Sequence, residues 1–118
     1  MIIKTHLIGK KEIAELISDE LIISNEEDGK NLVGNLYFQG FDTVIINKDK
    51  LTPSFFELKN KKAGEILQKF STYGIRIIII GDFKNIESES LKSFILESNK
   101  GRNVNFVSNL NEALKLFA

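Results

Sequence analysis

Hydrophobic and polar positions alternate in two regimes along the chain. Residues 2–7 are rich in β-formers and predict a first strand. Gly9, Lys10 and Lys11 read as a turn, and residues 12–16 return as a second strand, forming a hairpin. Leu21, Ile22 and Ile23 then form a short apolar run that suits a third strand or the entry to a helix. The period now lengthens. Ser24 and Glu27 have capping-box spacing, and Leu32, Val33, Leu36 and Tyr37 share one helical face up to a stop at Gly40. Residues 43–46 predict a short buried strand.

Thr52-Pro53 is a helix start, with a hydroxyl before a proline at the first helical position. We expect a short helix over residues 54–59 that exposes Phe55, Phe56 and Leu58. A longer helix follows over residues 62–73, with Ala63, Ile66, Leu67 and Phe70 on one face and Gly74 as its stop. Residues 75–80 hold five isoleucines broken only by Arg76, the pattern of a central parallel strand buried on both faces. A helix over 88–98, with Leu91, Phe94 and Ile95 inward, precedes a strand over 104–107. Asn109 and Glu112 have cap spacing for a last helix packed by Ala113, Leu114 and Phe117.

From residue 41 onward the order is strand, helix, strand, helix, strand, helix. That order implies parallel crossover units. The expected fold is α/β: a mixed central sheet of four to five strands with crossover helices. One domain is expected over residues 1–118, since no linker, repeat or low-complexity stretch divides the chain.

Composition narrows the function. Lys+Arg and Asp+Glu each number 16, so no net field favours nucleic acid or anionic lipid. The absence of Cys removes thiol chemistry, disulfides and cysteine-ligated metals. Apolar runs are too short to cross a bilayer, and Lys4, His6, Lys10 and Lys11 interrupt the N-terminal one, so a cytoplasmic location is expected. His6 is the lone histidine, and neither GxxxxGK[ST], GxGxxG nor GxSxG occurs. We therefore expect no cofactor and no metal. Asn35-Leu36-Tyr37-Phe38-Gln39-Gly40 resembles the site of a tag-removing protease but lacks its opening Glu and merges with the helical pattern.

Several stretches resemble an uncharacterised bacterial family catalogued as domain of unknown function 4180. They are Gly40-Phe41-Asp42, residues 51–58, residues 63–70, Gly81-Asp82-Phe83 and residues 94–101. A more distant resemblance is to the fold of anti-sigma-factor antagonists, the STAS domain. It implies a STAS-like topology and partner binding through a loop and helix start that match residues 59–64. Many members carry a phosphorylated hydroxyl there, where this chain has Asn60 and Lys61.

Two candidate sites follow. Phe55, Phe56 and Leu58, with Lys59, Asn60 and Lys62 as a polar rim, would recognise a protein partner or a second copy of the chain. That reading makes the protein a non-enzymatic regulatory or protein-binding module. The alternative is a small-molecule site or an undetected enzyme, with Asp49, Glu57 and Arg76 converging on Asp82 at the C-terminal ends of the central strands. Arg76 needs an internal carboxylate, such as Asp42 or Glu65, or an anionic ligand. The run from Ser98 to Arg102 reads as a helix end whose basic pair suits the dipole or a phosphate.

Overall fold

A computed structural model describes residues 1–57 and 61–118. β1 (Ile2–Ile8) and β2 (Lys11–Ile17) form the expected hairpin. Its two-residue loop places Gly9 at φ +62, the left-handed backbone that a primed hairpin turn requires. Then come α1 (Glu26–Phe38), β3 (Thr43–Asn47), α2 (Lys62–Thr72), β4 (Arg76–Ile80), α3 (Glu89–Lys100), β5 (Val104–Val107) and α4 (Leu110–Lys115). Short 3-10 turns at Lys48–Lys50 and Pro53–Phe56 lie between β3 and α2. Among the described residues one sheet runs β1-β2-β3-β4-β5, with β1 antiparallel to β2 and the other neighbours parallel. The mixed α/β architecture read from the sequence is therefore present.

The sheet's two faces are covered unequally. Ala14, Val44, Ile46, Ile77, Ile79 and Phe106 point to one face, where α1 and α2 close the main core through Leu32, Val33, Leu36, Ile66, Leu67 and Phe70. Phe94 and Ile95 of α3 pack against its edge. Ile13, Ile45 and Ile78 point the other way and are covered by α4 through Ala113, Leu110, Leu114 and Phe117. Ile77, Ile78 and Ile79 are all fully buried, as a central strand covered on both faces must be.

Three local expectations change. The cap of α1 is Asn25, not Ser24: the Asn25 side chain accepts from the Asp28 N–H at 2.8 Å. Ser24 instead donates its own N–H to the Asp28 carboxylate at 2.9 Å. Tyr37 leaves the buried stripe and meets Tyr73 edge-on at 5.3 Å. The run at 21–23 is neither a full strand nor a helix start. Ile23 makes one parallel bridge to Leu51, fixed by Thr52 N–H donating to the Ile23 carbonyl at 2.9 Å.

Candidate functional site

The Phe55–Lys62 region divides into core and surface. Phe55 is 1% exposed and belongs to the main core. The expected exposure of both phenylalanines is thus corrected. Pro53–Phe56 is a single 3-10 turn, and at about three residues per turn it sends Phe55 inward beneath α2. Phe56 is half-buried and starts an aromatic chain: 5.2 Å to Phe55, 6.3 Å to Phe83, then 5.2 Å from Phe83 to Phe106. Leu58, Lys59 and Asn60 lie outside the described residues. Lys62 donates to Ser54 Oγ at 2.9 Å, so its ammonium ties α2 to the 3-10 turn.

Phe56 and Phe83 form the wall of an apolar groove of about 580 Å³ at the C-terminal ends of β3 and β4. Leu51 and Leu91 make its floor, Leu21, Pro53 and Ile86 its flanks, and Lys48, Asp49, Glu87 and Ser88 its polar margin. Lys48 crosses from the end of β3 to the end of β4. Its ammonium donates to the Asp82 carbonyl at 3.0 Å and lies 5.3 Å from the Phe83 ring centroid. The crossing is close: a Cβ at Gly81 would meet Lys48 Cβ at 2.7 Å.

The alternative polar site does not assemble. Asp49 borders the groove, but Asp82 accepts from the Lys84 N–H at 3.0 Å and so closes its own loop. Glu57 is exposed beyond the 3-10 turn and does not line the groove. Arg76 opens β4 whereas Asp82 follows its end, which separates them by roughly 20 Å at the usual rise per residue. Among the described residues no group of three or more His, Asp or Glu is placed to hold a metal ion.

Arg76 lies in a second cleft, of about 460 Å³, at the N-terminal ends of β3 and β4. Asp42 does not pair with its side chain. That carboxylate takes Lys11 at 2.7 Å and the Thr43 hydroxyl at 3.1 Å, while Arg76 meets Asp42 only through its backbone N–H. The guanidinium instead donates from Nε to Asn105 Oδ1 at 2.8 Å and lies 4.8 Å from the Phe117 ring centroid. Burial and then the nearby charge of Arg102 hold its proton affinity below that of an ordinary arginine. The hydrogen bond to Lys11 holds the Asp42 carboxyl below the usual aspartate value. Lys11, Asn105 and Phe117 carry no motif. Only the odd placement of Arg76 inside an apolar strand signalled this cleft.

Among the described residues no helix is long and apolar enough to cross a membrane. No curated protein matches the chain. Among solved structures the chain is similar to one titled "Structure of the Bacillus Cell Fate Determinant SpoIIAA in the Phosphorylated Form". The identity is 16%, over 99% of this chain and 100% of that one, with a TM-score of 0.44. The family model described as "Domain of unknown function (DUF4180)" matches residues 8–116, and the chain belongs to that family.

Proposed function

We propose that the chain is a non-enzymatic protein-binding module that takes an apolar anchor side chain of a partner into the groove between Phe56 and Phe83. The observation that carries this reading is the layout of the groove. Its walls and floor are aromatic and aliphatic, while its margin alternates Lys48, Asp49, Glu87 and Ser88. An apolar centre inside a polar rim is the usual anatomy of a recognition surface. Leu21 extends the apolar surface at the mouth and is 48% exposed. Pro53 sets the backbone angle that presents Phe56, so little ordering is needed on binding. The mixed rim gives orientation and encounter rate more than affinity.

A small apolar ligand is the second reading. The volume of about 580 Å³ favours it, since it falls inside the usual range for such sites. One experiment separates the two. A photo-crosslinking side chain is placed at Leu21, and a control is placed at Glu65 on α2, in cells that make the protein naturally. A specific protein adduct at Leu21, absent from the control and lost in Phe56→Ser, supports the module. Loss of an aromatic anchor should weaken capture about 30-fold or more. Leu21→Asp, which alters only the mouth, should weaken capture while the melt stays in place. Protein adducts equal at both positions overturn the proposal, and a co-purified apolar molecule in native mass spectra selects the second reading.

A further inference from the structure

The cleft at the other end of the strands holds more positive charge than the fold uses. Lys11, Arg76 and Arg102 line it, against the single carboxylate of Asp42. Lys11 and Asp42 pair with each other. Among the described residues Arg76 and Arg102 make no ion pair, and Arg102 forms no hydrogen bond through its side chain. Two guanidinium groups therefore line one space, and the charge of Arg102 adds to burial in lowering the proton affinity of Arg76.

Arg76 is also held still. Nε is committed to Asn105, whose own amide donates to the Gly101 carbonyl at 3.1 Å, and the guanidinium plane rests over Phe117. An arginine carries five N–H donors. The four on the Nη atoms have no partner among the described residues, yet no buried donor is left unsatisfied, so they open into the cleft. Thr43 and Asn105 are the buried polar residues of the described core; Thr43 lines this cleft, and Asn105 lies behind it as the acceptor for Arg76. Among the described residues the buried polar side chains thus gather around Arg76, which is the pattern of a pre-organised recognition site rather than of a solvated edge.

We propose that this cleft binds a phosphate group, seated between the Nη donors of Arg76 and the guanidinium of Arg102. Planar guanidinium forks match phosphate oxygens in pairs, and the partly desolvated site strengthens each charge-assisted bond. The cleft is larger than a bare phosphate, and Ile75, Leu116 and Phe117 add apolar wall. Room therefore remains for the organic part of a small phosphorylated molecule. The site lies at the far end of β4 from the apolar groove and is independent of the reading given to that groove.

The test follows backbone amide shifts of the isotope-labelled chain at constant ionic strength, with inorganic phosphate, a simple phosphate monoester and chloride. Saturable shifts centred on residues 76 and 102–105, with phosphate or monoester but not chloride, are expected. A tighter monoester points to a phosphorylated small molecule, and equal affinities point to free phosphate. Arg102→Ala, at an exposed position, should weaken binding about tenfold or more while the fold is unchanged. Arg102→Glu sets a carboxylate against Arg76, so it should abolish phosphate binding and raise the melting temperature. Absence of saturable shifts up to tens of millimolar, or equal binding by the parent and Arg102→Ala, overturns the proposal.

Discussion

Adjacent isoleucines on β4 offer a sharp test of how the sheet is covered. Ile78 and Ile79 are both fully buried, and each pairs with residues on β3 and β5. They differ in face. Ile79 points into the main core closed by α1 and α2, whereas Ile78 points beneath α4. Isoleucine to alanine removes three carbons, so the transfer cost alone is about 2.4 kcal/mol at either position. The difference lies in the cavity left behind. Around Ile79 the lining comes from two helices of 13 and 11 residues that also pack on each other, and it cannot collapse. Above Ile78 the cover is a six-residue helix beside half-buried Ile80, Val107 and Leu114, which can settle inward. Ile79→Ala should therefore cost about 3.5–5 kcal/mol and Ile78→Ala about 2.5–3 kcal/mol. Urea unfolding followed by circular dichroism measures both. For 118 residues, 1 kcal/mol corresponds to roughly 4 °C in melting temperature, so the two variants should differ by about 4–8 °C. Equal losses, or a larger loss at Ile78, would refute the idea that α4 is the yielding layer.

Two further outcomes are expected. The Asp42 carboxyl titrates below its unfolded value because Lys11 hydrogen-bonds it, so its stabilisation is present above the unfolded value and vanishes as pH falls through the folded one. Asp42→Asn should flatten the acid limb of stability as pH falls through and below the ordinary aspartate value, modestly because the side chain is largely exposed, and a parent-like limb in urea titrations would contradict this. Lys61, at φ +63 before α2, occupies a left-handed conformation that costs a side-chain-bearing residue about 1–2 kcal/mol, so Lys61→Gly should be neutral to slightly stabilising and Lys61→Val destabilising in thermal melts.

Much of the fold was legible because its signals are local. The face made by Ala63, Ile66, Leu67 and Phe70 has a strict helical period, and the same four residues are the buried ones of α2. The isoleucine run of β4 admits no exposed face, and the structure buries its centre completely. Where two local solutions have similar energy, the sequence does not choose. Ser24 and Asn25 are both good caps with an acid three residues on, and the choice of Asn25 depends on Ser24 turning its N–H to Asp28. Which phenylalanine faces inward depends on a 3-10 rather than an α period, and on α2 packing over it. The grouping of Arg76 with Asp82 was a different kind of error. A five-residue strand separates them, and its length alone places them at opposite ends.

The cleft around Arg76 could not be read because its parts meet only through sheet order. Asn105 faces Arg76 because β5 pairs with β4 in the register Ile77↔Val104, and Phe117 arrives because α4 folds back over the opposite face. The same order decides where a ligand site is able to form. In sheets whose strand order reverses, the loops part at the reversal and leave a crevice. Here β2 to β5 are sequential neighbours, and α1, α2 and α3 contribute to one core on one face, so the parallel strands contain no reversal. A concave surface must come from elsewhere. At the C-terminal end it comes from the segment between β3 and α2, whose 3-10 turns fold over the strand ends and carry Phe56 against Phe83. Gly81 is the residue that lets Lys48 cross closely enough for this, since any Cβ there would strike the Lys48 side chain. At the N-terminal end it comes from the residues just after α4, where Leu116 and Phe117 lie beside the start of β4. Both concave surfaces are therefore built by additions to the sheet, and both are lined by residues that no backbone-level rule of parallel sheets would single out.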